Sequence, residues 1–407
     1  AFDRKSLEDK SNNLDRSVIF LDSNNTYLSD KREIGRLQKT PILYSLSSRI
    51  LHTISSNEKL KDGVLIARSG LTTFNDFRFL RLRVEVDPKD IGELKIWEPI
   101  AKGGTFSVFY SDLPLLIRWS TSGNEIAEEN QRVNGQTAQA RQASSYYRRF
   151  GGTYSYRSRK DFGVRVLPAG CIIGNKGPAV LPAINFSAEF VIGLLNSRFI
   201  KTLIKLQAND SQYDTGIIER IPWVPFSPEK IQRIESLTRQ SIDKIRSISI
   251  HEENNSLFTV LPYGDSLSEI TNVWSKIVSD AQSTIESSIA EINNVVDSVY
   301  NVDSTNFENS VGSLEDERSK NNKPNNVDDD EEEENPQTLI SLCEVSIAYL
   351  SFAIGCIFGR WDIRFVRNKN LAPKLPNPFD SLPVCFPGTL VEPQGLPATK
   401  YNIVSQE

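Results

Sequence analysis

The segment SSYYRRFGGTYSYRSRK, residues 144–160, holds five aromatic and five basic side chains and no acid. Arg and Lys attract phosphate, and aromatic faces stack on bases, so this density of both types points to nucleic acid. In GTYSYRSRK the two-residue period of a strand places Tyr154 and Tyr156 on one face and Arg157 and Arg159 on the other, with Lys160 following. The Arg face suits phosphates or guanine edges, and the Tyr face suits a core. Tyr146, Tyr147, Arg148 and Arg149 lead into Gly151-Gly152, a turn able to come close to a ligand backbone. A half-buried strand whose polar face is basic accounts for the same residues without any ligand.

Two other stretches carry the same theme. KGGTF (102–106) sets Lys102 ahead of Gly103 and Gly104. Backbone N–H groups in such loops bind phosphate readily, and a plain hairpin turn is the equal alternative. In GLTTFNDFRFLRL (70–82), Thr72, Thr73, Asn75 and Arg78 offer polar tips for base edges or phosphates, or simply form a polar loop entering a strand.

Catalytic motifs are scarce. No GxGxxG, Walker loop or HExxH occurs. His52 and His251 are the two histidines and stand in no motif, which argues against a Ser-His-Asp triad. The four cysteines, Cys171, Cys343, Cys356 and Cys385, form no CxxC pair, which argues against structural zinc and suits a reducing cytoplasm. The nearest nuclease-like grouping is Asp76 or Asp87 followed by Glu93 and Lys95, two carboxylates for Mg²⁺ with a lysine beside the attacking water. Chance spacing accounts for so short a pattern better.

The elements that must position these residues follow from patterning. Residues 1–60 are a polar, helical lead-in in which Ile42, Leu46, Ile50 and Ile54 recur every four positions. Residues 61–225 alternate short β-branched and aromatic runs with Gly and Pro: GVLIARSG, TFSVFY, LPLLIRW, FGVRVLPAG, CIIGNKGP. RLRVEVD (81–87) reads as a one-sided strand with Leu82, Val84 and Val86 inward, and 189–207 as one helix. Residues 226–300 read as two long amphipathic helices. The first starts at Ser227-Pro228 with its seam at Ile231, Ile234, Leu237, Ile242, Ile245 and Ile248; the second spans about 267–300. Residues 301–337 carry too little apolar surface to offset their ordering entropy and read as an acidic disordered linker. Residues 338–407 comprise an apolar helix and a Pro-rich extension. Glu344 inside the apolar run predicts a buried or partner-facing helix rather than a membrane span. The fold class expected is α+β: a mixed-sheet domain, a helical pair, the linker and a small helical segment.

Charge fits this division. The chain has a net charge of −5, yet DDDEEEE (328–334) alone holds seven acids, so the remainder is slightly basic. No secretory signal opens the sequence, and a cytoplasmic location is expected. Methionine is absent and residue 1 is Ala, which points to a fragment, a processed start or modified methionines missing from the sequence.

Several pieces together resemble a known family. GLTTFNDFRFLRL, WEPIAKGGTFSVFY, YYRRFGGTYSYRS, VRVLPAGCIIGNKGPAV, VIGLLNSRF and YDTGIIERIPW occur in the order found in large bacterial adenine-specific DNA methyltransferases. These are the single-chain type II restriction–modification enzymes and the similar methyltransferases of BREX-type phage defence. AIGCIFGRWDIRF and LPNPFDSLPVCFPGTL resemble their C-terminal extension. The likeness implies a DNA target-recognition domain over 61–225, with double-stranded DNA as partner. It places Thr72, Thr73, Asn75, Arg78, Lys102, Gly103, Gly104, Arg148, Arg149, Tyr154, Tyr156, Arg157 and Arg159 in recognition motifs. The family's NPPY-type motif and S-adenosylmethionine-binding glycine motif are both absent, and PNPFD (376–380) has no strand before it. The resemblance therefore implies no catalytic residue and no cofactor here, with S-adenosylmethionine held by a separate catalytic domain or subunit. The competing expectations are a Mg²⁺-dependent nuclease and a protein-interaction subunit built on the long helices.

Overall fold

The computed structural model describes residues 17–21, 26–30, 58–135, 138–208, 211–302, 340–392 and 396–398. The stripe at 41–54 and the acidic run at 328–334 lie outside the described residues. The strands are β1 (Ser17–Leu21), β2 (Thr26–Asp30), β3 (Leu65–Arg68), β4 (Leu80–Leu82), β5 (Trp97–Ala101), β6 (Leu115–Arg118), β7 (Gly151–Tyr154), β8 (Val164–Leu167), β9 (Ile172–Ile173) and β10 (Ala179–Pro182). The helices are α1 (Asp76–Phe79), α2 (Asn124–Asn134), α3 (Ala188–Asn196), α4 (Arg198–Gln207), α5 (Thr215–Glu219), α6 (Pro228–Ser249), α7 (Leu267–Tyr300), α8 (Leu342–Ile357) and α9 (Arg364–Arg367).

The fold is α+β. β1 and β2 pair antiparallel, a hairpin within the stretch that the sequence predicts as a helical lead-in. One four-stranded sheet has the order β3-β10-β7-β8 and is antiparallel throughout. The other has the order β4-β6-β5-β9 and is mixed, because β5 and β9 run parallel.

The alternation of side chains along the first sheet separates two cores. Val180 of β10 and Val164 and Val166 of β8 enter a core shared with α3, α4, α6 and α7. Ala179 and Leu181 of β10 and Leu167 of β8 enter a second core, with Ile100, Ile117 and Ile172 of the second sheet. Helices, first sheet and second sheet are therefore three successive layers. A third core joins the start of α7 (Ile270, Trp274, Val278) to Val345 and Phe352 of α8 and to Trp361.

The long helices form where the 3.6-residue period places them. Ser227 and Pro228 open α6, and the Ser266 hydroxyl accepts from Glu269 N to open α7. Ile234, Leu237 and Ile242 of α6 and Ile292, Val296 and Tyr300 of α7 are buried in the first core. Each such burial contributes about 1.5–3 kcal/mol. Gly193 lets α6 approach α3 closely: a Cβ there would lie 2.3 Å from Thr238 Oγ1. α8 buries Val345 and Phe352 and leaves Ile347, Leu350, Ile354 and Ile357 exposed. Among the described residues, no helix is long and apolar enough to cross a membrane.

Three local expectations are corrected. RLRVEVD is not a one-sided strand: β4 ends at Leu82 and a 3₁₀ turn covers Arg83–Glu85. Arg83 is the buried residue, donating to Pro383 O at 2.6 Å, while Leu82 and Val84 face solvent. Residues 189–207 form two helices, because Ser197 takes extended backbone angles and its hydroxyl donates back to Leu194 O. TFSVFY contains no named strand; Phe109 alone bridges to Arg165 of β8.

Candidate nucleic-acid interface

Four loops meet backbone to backbone beside the two sheets: 70–76 after β3, 102–107 after β5, 155–160 after β7, and 174–178 between β9 and β10. Leu71 N donates to Ile173 O and Asn175 N to Leu71 O, at 2.9 and 2.8 Å. Tyr156 N donates to Lys176 O at 3.0 Å, and Ser155 Oγ to Gly104 O at 2.7 Å. The approach requires glycine. A Cβ at Gly70 would lie 1.8 Å from Ile173 O, and one at Gly177 would lie 2.6 Å from Gly103 N. Gly103 and Gly104 also take left-handed φ values of +87° and +118°.

Arg165 supports this junction from below. It sits on β8 between Val164 and Val166, so its side chain leaves by the opposite face of the sheet. There it donates to Gly103 O (2.6 Å), Thr105 O (3.2 Å) and Ser107 Oγ (3.3 Å), and its two terminal nitrogens lie 3.4 Å from Ser155 Oγ. It is only 2% exposed, and no carboxylate pairs with it among the described residues. Burial lowers its pKa to about 10, which still leaves it charged at neutral pH. A buried cation held by dipoles alone leaves its field unneutralised under the loop.

The 70–76 loop is clamped to the same junction. Lys102 Nζ donates to Thr73 Oγ1 (3.0 Å) and pairs with Asp76, which also accepts from the Thr73 hydroxyl. Burial pushes the Asp76 carboxyl up, but the hydrogen bonds from Lys102 and Thr73 and the charges of Lys102 and Lys176 outweigh it and hold the group below the ordinary carboxylate value. Asn75 caps α1, its Oδ1 accepting from Arg78 N at 3.1 Å. Thr72 N donates to Gln139 O.

In front of the junction stand cations without acid partners. Arg157 and Arg159 are exposed around buried Ser158 and enter no ion pair among the described residues. Lys160 lies over the Phe106 ring at 5.8 Å and Lys176 over the Tyr156 ring at 6.0 Å. The Tyr156 hydroxyl donates to Asp214 at 3.1 Å. An open cleft of about 1230 Å³ begins at Asp76, Lys102, Gly103 and Gly104 and extends to Arg360 and Glu252–Asn255.

The remaining residues singled out from sequence lie elsewhere. Tyr154 is fully buried, which drives its phenol pKa well above the usual value. Tyr147 is buried edge-on to Trp119 and donates to Gln142 O. Arg148 forms a bidentate pair with the buried carboxylate of Glu98 at 2.8 Å. Arg78 pairs with Glu129 at 2.6 Å. Tyr146 lies between Arg149 (5.8 Å) and Arg68 (5.0 Å), the latter paired with Glu219 at 2.7 Å. Asp87 pairs with Lys89, Glu93 lies 3.7 Å from Arg148, and no group of three or more His, Cys, Asp or Glu side chains converges as a metal site among the described residues.

Lys176, Arg165 and the exposed rings of Phe74 and Phe77 are additions to the candidate set. The signal for Lys176 is its place between the glycines of IGNKGP, as Lys102 stands just ahead of the pair in KGGTF.

No family profile matches the chain. It is similar to the adenine-specific methyltransferase PglX of Lacticaseibacillus casei (strain Zhang), with 24% identity over 359 residues, covering 84% of this chain and 28% of the relative. It is also similar to the adenine-specific methyltransferase BrxX of Escherichia coli O9:H4 (strain HS), with 25% identity over 149 residues, covering 36% of this chain and 11% of that one. The chain thus spans under a third of the length of either relative. The solved structure of the type IIL restriction–modification enzyme MmeI in complex with DNA aligns over 62% of this chain and 35% of its own, at TM-score 0.40 and 14% identity, a likeness too loose to carry weight. The motif resemblance is thereby matched by sequence similarity to adenine-specific methyltransferases over most of the chain.

Proposed function

We propose that this chain is the duplex-DNA recognition portion of an N6-adenine-specific methyltransferase of a restriction–modification or phage-defence system. Methyl transfer and S-adenosylmethionine binding would belong to a catalytic domain or subunit outside these 407 residues, since neither motif occurs within them. The observation that carries the reading is the junction of four loops: an unpaired buried arginine beneath two glycines, with Lys176, Arg157, Arg159 and Lys160 in front. Backbone N–H groups and cations of this kind seat phosphates, which fixes the register of a duplex. The half-buried Thr72, on the same loop, is a candidate to reach base edges. The similarity to PglX and BrxX supports adenine methylation as the setting. The units proposed are a recognition domain at 61–225, a helical brace at 226–300, a linker at 301–337 and a C-terminal segment at 338–407.

The test is a binding titration with labelled duplex DNA. Replacing Lys176 and Arg157 together with Ala should weaken binding about tenfold or more, uniformly across sequences, with no change in thermal stability, because both contact phosphate rather than core. Unchanged affinity in a folded double variant would refute the assignment of these loops.

A further inference from the structure

The loop that Lys102 clamps carries two aromatic rings into solvent. Phe77 is 94% exposed and Phe74 is 42% exposed. Their mount is rigid. Phe74 takes a left-handed φ of 58°, which a bulky side chain rarely adopts and which surrounding contacts must enforce. Asn75 caps α1, Asp76 is fastened to Lys102 and Thr73, and Arg81 Nη1 donates to Phe77 O at 2.7 Å. Phe79, in the same helical turn, is fully buried, so α1 turns one ring into the core and holds another out. Beside this turn stand two cations that enter no ion pair among the described residues: Arg81, whose guanidinium donates to Phe77 O, and Lys176, whose charge reaches Asp76.

We infer that Phe77, with Phe74 beside it in the loop sequence, is an apolar wedge that enters between stacked base pairs of the duplex. The inference rests on the DNA reading above and adds a mode of engagement to it. A flat ring held out by a fixed backbone, with cations at its root, matches the two demands of a parted base step. The ring replaces the lost stacking, and the cations meet the phosphates on either side. Parting a step weakens pairing beside it, which lowers the cost of turning a base out of the helix. A protein partner would use the same ring as an anchor, but would have no need of cations at its base.

The test uses the whole chain. Duplexes are enriched from a random pool by retention at low salt, and 2-aminopurine is then placed at each adenine of an enriched sequence. Binding of the unaltered chain should brighten one position several-fold. Phe77→Trp should keep that response. Phe77→Ala should lose it and bind about tenfold to a hundredfold more weakly, with an unchanged circular dichroism spectrum and an unchanged salt slope. Retention without brightening at any position, or a Phe77→Ala chain that brightens or binds as the parent does, overturns the wedge while leaving DNA recognition intact. Failure to retain any duplex overturns the DNA reading itself and the wedge with it.

Discussion

At the scale of single residues, the junction depends on who holds each charge. Arg148 and Arg78 spend theirs on Glu98 and Glu129, whereas Arg165, Arg157 and Arg159 meet no carboxylate among the described residues. Asp76 is the acid that fastens the 70–76 loop. Its folded-state pKa lies below the ordinary carboxylate value. The unfolded chain therefore binds its proton first as pH falls. The stabilisation from Asp76 is complete above about pH 5 and is lost as pH falls from near 4 through the lowered folded value. Asp76→Asn should therefore lower the melting temperature at pH 7 and approach the parent as acid protonates the folded carboxyl. The Asp76 side chain is 54% exposed, so the difference should stay within about 1 kcal/mol. Melting curves from pH 2.5 to 7 check this; a constant gap at all pH values would exclude Asp76 as a charged clamp.

At the scale of elements, the strand that carries Arg165 is completed by a helix. β8 is an edge strand whose outer side is completed by the Phe109 backbone and by Asn196 at the end of α3, which accepts from Val164 N at 2.9 Å and donates to Val164 O at 2.6 Å. Asn196→Ala should leave the buried amide of Val164 unpaired and cost about 2–3 kcal/mol, measured by chemical denaturation. A loss under about 0.5 kcal/mol would show that β8 does not depend on the Asn196 pair. The helices that support this arrangement were legible in sequence, since α6 and α7 show their seams at 3.6-residue spacing and their openings at Ser227-Pro228 and Ser266. β4 was not, because Arg83 buries its guanidinium against a distant carbonyl and so inverts the pattern that Leu82 and Val84 suggest. The site was partly legible. Lys102, Gly103, Gly104, Arg157 and Arg159 are marked by type and spacing. Their junction with Lys176 depends on contacts such as Gly177 against Gly103, which no local period encodes. Phe74 and Phe77 were hidden for another reason: aromatic rings near a strand are ordinarily core, and only coordinates distinguish Phe77 in solvent from Phe79 inside.

At the scale of the whole molecule, one helix ties two cores together. α7 contributes Ile292, Val296 and Tyr300 to the core of the first sheet, and Ile270, Trp274 and Val278 to the core containing α8. Its 34 residues span about 50 Å, so it braces the sheets against the C-terminal segment. The net charge of −5 conceals a cationic junction, because seven acids lie in a single run at 328–334, apart from it in sequence. The central claim is that this junction grips the phosphates of a double helix, and counterion release measures that directly. Binding of a labelled random duplex pool should be followed from 50 to 200 mM salt. Four contacts from Lys176, Arg157, Arg159 and Lys160 predict a log–log slope of about −3.6, a loss on the order of a hundredfold across that range. No retention at 50 mM salt, or binding that salt leaves unchanged, would contradict the account.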